Sequence, residues 1–512
     1  MSGFVVIHRP NSRSDIQHMF STIKHRGPHV AGIFESKYIA MAQNYLNADL
    51  GWPNSQEILD FQKLIPVMNN SEHRLRICYD GQIGNRQELQ QKHYVNDGPF
   101  LEERLLLTLY EKYGPNMCAE LSDAIFAFVI VDGHDLLAAR DMLGIKTLFY
   151  GKKNGGILFG SELKSISVLT EDVFEFPNSC FMTTEGHFTC FAKLPEKQPE
   201  KSDRSVDEHI ASIRNIIKRS VDSRIDFKGP TASLLSGGID SSVVAFLASA
   251  SYKKRFGQHA RLPTFTLGVN ESGDILNARI MAEYLDSDHH ELIVDLDQIL
   301  SVLSEVIYYL ESYDPSLVRS AVSNFLISSH ARSKGFDLLL SGEGGDELFC
   351  GYHYLKDLPA GEIFKRQMEC LGFLHNNAAL RLDRMNHCHS VRVVTPLISG
   401  ELLQYAMTIP SGYKLMPDKN GIIEKWIFRK AFENDLPREI VWRLKKEFSQ
   451  GSGAADVLPS YFESVVTDGE FSLMVASYPF LRSKEESFYF KLFKKHFGDG
   501  KAAATVGQWL TL

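Results

Sequence analysis

Twice in this chain an apolar run stops at a glycine-rich turn that carries an acid. Leu234-Leu235 leads into Ser236-Gly237-Gly238-Ile239-Asp240-Ser241-Ser242. Leu338-Leu339-Leu340 leads into Ser341-Gly342-Glu343-Gly344-Gly345-Asp346-Glu347. Glycines let a backbone turn sharply and approach a ligand without a Cβ in the way. In the first turn Ser241 and Ser242 open an apolar helix, VVAFLASA. Its free N–H groups, its dipole and the serine hydroxyls suit a phosphate group. Asp240 would repel that phosphate unless a divalent cation stood between them, so the loop implies Mg²⁺. No lysine follows the glycines, so this is not a GxxxxGK[ST] loop, and cleavage between β- and γ-phosphates is disfavoured.

The segments between and around these turns alternate strand and helix. TASLL, PTFTLGV, HHELIVD and DLLLSGEGGDE read as strands. EHIASIRNIIKRSV, ILNARIMAEYLDSD and a stretch near Ala321–Ser333 read as helices. That alternation predicts a parallel sheet covered on both faces. Both turns then lie at carboxyl ends of strands, where ligands bind in such sheets, and Asp240 and Asp346 are placed to share one cation.

The first 193 residues are different. Short β-like runs (FVVI, YIAMA, RLRICYD, AIFAFVIVDG, TLFYG, GILFGSE) are punctuated by turn residues and predict an antiparallel layered domain. One helix is expected from Leu101 to Tyr113, with Leu105, Leu106, Leu109 and Tyr113 on one face. LPEKQPEKSDRS (194–205), rich in proline and charge, reads as a linker. The expected division is 1–193, a linker at 194–205, and 206–512.

The 55 Lys+Arg against 63 Asp+Glu leave a formal charge of −8, which argues against a nucleic-acid partner. No run of about 18 apolar residues occurs, so no membrane helix is expected. The apolar N-terminal stretch Phe4 to Ile7 is too short for a signal-peptide core. Seven scattered cysteines read as reduced thiols in a cytoplasmic protein. Cys350, near the second turn, reads as packing, and His289 and His290 as structural.

Beyond these physical readings, SGGIDSS resembles the pyrophosphate loop of ATP pyrophosphatases. ESYDPSLVRSAVSNFL (311–326) and LSGEGGDELFCGYHY resemble the synthetase domain of glutamine-dependent asparagine synthetases. So do ARDMLGIKTLFYG, FGSELKSI, RVVTPLISGELLQYAM and IIEKWIFRKAFENDLPREIVWRLKKEFSQGSG, in the same order along nearly the whole chain. β-Lactam, carbapenam and lasso-peptide cyclases share the architecture.

The resemblance implies an α/β protein. An N-terminal-nucleophile-type αββα sandwich would precede a parallel-sheet adenine-nucleotide α-hydrolase-like domain. It implies ATP and Mg²⁺, attack of a carboxylate on the α-phosphorus, and displacement of AMP from the acyl-adenylate by an amine. Asp240 and Asp346 would hold the metal. Ser236, Gly237, Gly238, Ser241 and Ser242 would cradle the pyrophosphate. Leu234, Leu267, Ser341 and Gly342 would line the adenosine pocket. Lys445 would meet the reacting phosphate, with Lys446 next to it leaving the register open. Glu343 would handle the proton of the attacking amine; lactam formers carry tyrosine there. Arg319, with Ser316, would bind the substrate carboxylate. Aspartate is the default acyl substrate, and a homodimer is common in the family.

The first half resembles a class II glutamine amidotransferase domain, whose nucleophile is a cysteine exposed by removal of Met1. Here position 2 is Ser2. The arginine for the glutamine carboxylate would fall near Asn44. The asparagine-glycine-glutamate block reads Asp80-Gly81-Gln82, placing an anion where an oxyanion donor belongs. The substrate-binding aspartate aligns with Glu102. Glutamine hydrolysis is therefore expected to be lost, with ammonia or a small amine as the nitrogen source. Two other readings remain beside this one: an amide ligase or cyclase of specialised metabolism, and a non-catalytic scaffold.

Overall fold

The protein is described from a computed structural model over residues 2–8, 13–46, 67–69, 74–198, 203–269, 272–419, 421–443, 448–451 and 453–509. It forms two compact units. One comprises residues 1–193, Leu374–Ser390 and Phe493–Gly507; the other comprises 194–373, 391–492 and 508–512. The sequence reading placed one crossing, at 194–205. The added stretch Leu374–Ser390 joins the first unit because Asp383 pairs with Arg26 there and Arg384 with Glu162.

In the first unit two six-stranded sheets face each other. Their pairings are antiparallel: Ser2–His8 lies between Ile39–Tyr45 and Gly156–Gly160, and Arg74–Ile83 pairs with Ala124–Asp132. Alternation along the strands sends Phe4, Val6, Met41, Cys78, Val129 and Met182 into the space between the sheets. The opposite face of the second sheet carries Ile77, Tyr79, Phe126 and Phe128 and is covered by the helix Leu101–Tyr113. That helix buries Leu105, Leu106, Leu107 and Leu109. Outside the first sheet, Arg13–Ser21 buries Ile16, Met19 and Phe20. The layers are αββα, as expected.

The cysteines depart from the expectation. Cys180 and Cys190 stand directly opposite in antiparallel register and form a disulfide. Alternation between adjacent hairpin strands put both side chains on one side, a proximity that sequence spacing did not reveal. Cys78, Cys118, Cys350, Cys370 and Cys388 are outside any disulfide.

The second unit opens with Val206–Arg224, fixed at its start by a capping box: Ser205 accepts from the Glu208 amide, and Glu208 reaches back to the Ser205 N–H. Five strands then make a wholly parallel sheet in the order Asp288–Val294, Pro263–Val269, Thr231–Leu234, Leu338–Leu340, Arg392–Val394. The chain runs outward from Thr231–Leu234 through its first neighbours, then returns to Leu338–Leu340 on the other side. The topological switch point therefore lies between the two strands that end in acid-bearing glycine turns. The helix Pro315–Ser333 begins earlier than expected because Asp314 caps it, accepting from the Leu317 amide at 3.0 Å, and Pro315 preorganises its first turn. Among the described residues no helix is long and apolar enough to cross a membrane.

Candidate functional site

At the switch point the two glycine turns touch. A Cβ on Gly342 would fall 2.5 Å from the Ser241 amide nitrogen and 2.6 Å from the Asp240 carbonyl carbon. Only glycine permits that approach. Gly237 has φ +66°, and its α-carbon faces the Asn277 backbone so closely that any side chain would collide. Within the first turn the Ser236 and Ser241 hydroxyls lie 3.1 Å apart, the Ser236 amide donates to Ser241 Oγ, and the Gly238 amide donates to Ser236 Oγ. The loop is thus internally ordered, with its glycine amides and the first turn of Ile239–Phe256 at one place. Ser242 sits deeper and is fully enclosed, its hydroxyl without a partner among the described residues.

Arg443 fixes the turn from outside. Its Nη1 donates to the Ser236 carbonyl at 3.1 Å and its Nη2 to Asp274 Oδ1 at 2.6 Å. The sequence reading passed over this arginine, although it lies two residues before Lys445. Lys445 and Lys446 fall outside the described residues.

The two acids expected to share Mg²⁺ both face a lysine ammonium. Lys425 Nζ lies 2.5 Å from Asp240 Oδ2 and 2.7 Å from Asp346 Oδ1. The ammonium occupies the kind of position a metal ion would take, so the donor set fits a cation. No group of three or more acidic, histidine or cysteine side chains placed to hold a metal ion is present among the described residues. Two carboxylates with phosphate and water oxygens are nonetheless the usual Mg²⁺ complement. Lys425 stood in the quoted block IIEKWIFRK without being singled out; its alignment beside an acid, Glu424, gave no hint of a partnership with two others.

Leu234 ends its strand, Leu267 lies two residues before the end of the neighbouring one, and Ser341 and Gly342 begin the turn after a third, Leu267 and Ser341 being buried. Ser341 Oγ accepts from the Glu343 amide at 3.4 Å, and Glu343 is half-buried. Next in the loop, Glu347 is fully buried against Tyr352, whose hydroxyl donates to it at 2.6 Å. Burial first, then the charges of Asp346 and Glu343, push its carboxyl up to about 7.

On the helix Pro315–Ser333, Arg319 turns its Nε and Nη2 onto Glu485. Nε lies 3.1 Å from Oε1, Nη2 lies 2.5 Å from Oε2, and Tyr489 donates to the same carboxylate at 2.8 Å. Glu485 thus occupies the Nε and Nη2 edge of the Arg319 guanidinium. Ser316 is half-buried one turn earlier.

In the first unit Ser2 is buried. Its hydroxyl donates to the Tyr79 carbonyl at 2.8 Å and accepts from Gln43 Nε2 at 2.7 Å; its amide donates to Asp80 Oδ1 at 3.4 Å. Asp80 faces Lys146 Nζ at 3.1 Å and Arg26 Nη2 at 3.0 Å. Arg26, wholly buried, also forks onto Asp383 at 2.6 and 3.0 Å and reaches Glu162 at 2.9 Å. Burial alone would raise the Asp80 carboxyl, but Lys146 and then Arg26 outweigh it and hold it below the ordinary range. Asn44 is spent on backbone, accepting from Gly3 N and donating to Ile23 O. Glu102 is not brought to Ser2. It accepts from the Tyr79 hydroxyl at 2.7 Å, and the Tyr79 ring leaves its strand on the face opposite Asp80. That ring lies across Gly81, whose added Cβ would meet Tyr79 Cε2 at 2.5 Å.

The asparagine synthase family matches residues 212–369 and 365–505, and the glutamine amidotransferase domain family matches residues 1–181. A probable glutamine-hydrolyzing asparagine synthetase of Dictyostelium discoideum is 30% identical over 96% of this chain and 92% of its own. The glutamine-hydrolyzing enzyme of Zea mays is 30% identical over 96% of this chain and 85% of its own. A solved glutamine phosphoribosylpyrophosphate amidotransferase from B. subtilis gives a TM-score of 0.32 at 12% identity, over 57% of this chain and 81% of that one. The sequence matches extend across both units and through both glycine turns, and the chain belongs to the asparagine synthetase family of ATP-dependent ligases that form carbon–nitrogen bonds.

Proposed function

We propose that the protein is an AMP-forming amide synthetase that adenylates a carboxylate and passes ammonia or a small amine to it without drawing on glutamine. The observation that carries the first half is the shared cation position between Asp240 and Asp346, set where two glycine turns meet at the switch point. In this reading Ser236, Gly237, Gly238 and Ser241 hold the pyrophosphate. Ser242 supports the loop from beneath. Leu234, Leu267, Ser341 and Gly342 border the adenosine. Mg²⁺ at Asp240 and Asp346 would supply charge neutralisation for the leaving pyrophosphate. Glu343 takes the proton the amine must lose, and Lys445 faces the reacting phosphate.

The pairing of Asp80 supports glutamine independence. A glutaminase needs hydrogen-bond donors where the oxyanion develops. Asp80 is instead an anion locked between Arg26, Lys146 and the Ser2 amide. The Ser2 hydroxyl is held between Tyr79 and Gln43.

Aspartate remains the default acyl substrate. The Arg319–Glu485 pair favours a second reading as well, a ligase for another carboxylic acid. A substrate α-carboxylate would have to approach the guanidinium from its Nη1 side or displace Glu485.

The deciding experiment supplies ATP, Mg²⁺ and candidate acids with either ammonia or glutamine, and measures pyrophosphate and AMP. Turnover with ammonia alone is expected. Equal turnover with glutamine refutes the loss of glutaminase. Asp346→Ala should abolish pyrophosphate release while leaving the fold intact; unchanged release refutes the metal assignment.

A further inference from the structure

Lys425 is an unusual place to store a positive charge. Its side chain is fully buried. Its backbone, just before the helix Trp426–Phe432, has φ 55° and ψ 25°, the left-handed region that a lysine occupies at a cost. A strained conformation persists only where its surroundings hold it, and here the visible restraint is the pair Asp240–Asp346. The adjacent Glu424 does not compensate Lys425. It is bound by Lys356 Nζ and Arg429 Nη2, each at 2.5 Å. Gly351 makes room for the arrangement: a Cβ there would land on both Asp346 Oδ1 and Lys425 Cε.

We propose that Lys425 is a resident counter-cation that competes with the divalent metal for Asp240 and Asp346. Metal uptake then becomes conditional on a polyphosphate that can receive the displaced ammonium. The inference rests on reading the two turns as an ATP site. One ammonium meets both carboxylates, at 2.5 and 2.7 Å. The lysine supplies that charge when no nucleotide is bound, keeping the acids in position. It also opposes metal binding, because a metal can enter only if the ammonium leaves a buried site. Without an anion to receive it, the ammonium would be left buried and unpaired, which is strongly unfavourable. The triphosphate brings both the metal and that anion, so metal and nucleotide arrive as one binding event. A positioning role of this kind predicts behaviour in the absence of any reaction.

The test uses Mn²⁺ as the probe and nucleotide-free full-length protein, reading free Mn²⁺ by its paramagnetic resonance signal. Wild type should bind Mn²⁺ only at millimolar concentrations. Lys425→Met should bind it at least about tenfold more tightly, because two carboxylates are left without their cation. Lys425→Arg, which keeps a cation, should resemble wild type. The gain from Lys425→Met should vanish in the Asp346→Asn background. Equal or weaker Mn²⁺ binding by a folded Lys425→Met protein overturns the proposal. Micromolar Mn²⁺ binding by nucleotide-free wild type overturns it too, whether or not the variants fold. Pyrophosphate release from ATP is scored separately: normal release with unaltered Mn²⁺ affinity in Lys425→Met keeps the ATP site and removes the counter-cation role.

Discussion

Asp80 and Lys146 form an ion pair of 3.1 Å in which the two side chains are only 1% and 3% exposed. Asp80→Asn, a substitution towards the glutaminase pattern, should therefore leave Lys146 buried with a weakened set of anions. Breaking such a pair costs about 3 kcal/mol or more. The expected outcome is a lower denaturation midpoint in urea, with no glutamate released from glutamine by Asp80→Asn or by Ser2→Cys combined with it.

Acid should attack the same cluster. Asp80, Glu162 and Asp383 are buried acids that burial would raise, yet neighbouring cations hold all three below their ordinary range. For Glu162 the leading opposing charges are His25 and Lys164; for Asp383 they are Arg26 and His387. Groups with depressed folded values contribute stability that is complete above the unfolded carboxylate range and is lost as pH falls from there through the lower folded values. A melting series from pH 7 to pH 3 should show a steep loss below about pH 4. Asp383→Asn should shrink that loss while lowering stability at neutral pH.

Lys414 gives the opposite kind of pH effect. It is fully buried, with Gln367 Oε1 at 3.0 Å as its partner, and burial pushes its amine down to about 8. Below that pH the charge must be kept in the interior. As pH rises from about 8 towards the ordinary lysine value, the folded protein sheds its proton before the unfolded chain does, and stability rises by about 3 kcal/mol. Lys414→Met should raise the melting temperature at pH 7 more than at pH 9.5; an equal effect at both would contradict the buried charge.

Gly342→Ala should separate the two turns, since its methyl would press on the Ser241 amide and the Asp240 carbonyl. Backbone on both sides leaves little room to give. Pyrophosphate release should fall at least about a hundredfold, the scale expected when reacting groups move by an ångström. The melting temperature, read alongside, separates this from general unfolding.

Local order was well written in the sequence. Leu101–Tyr113 is a helix over the expected residues because its leucines recur at helical spacing. The strands feeding the glycine turns were legible because apolar runs ended in residues that cannot continue them. Partners far apart in the chain were not legible. Nothing near Lys425 announces Asp240 or Asp346, and nothing near Arg319 announces Glu485. The Cys180–Cys190 pair escaped because nine intervening residues hide a register that only the hairpin creates. Arg26 and Asp383, 357 positions apart, meet only through tertiary structure.

That last separation bears on how the molecule is made. Arg26 and Asp80 leave the ribosome early, whereas Asp383 follows 357 residues after Arg26. At a synthesis rate of about 5–20 residues per second, the delay is roughly 20–70 seconds. Once the amino-terminal sheets are complete and until Asp383 is made, they must hold Arg26 on Asp80 and Glu162 without its bidentate carboxylate. A nascent chain halted before Asp383 lacks the carboxylate that completes the enclosure of this arginine in the finished molecule.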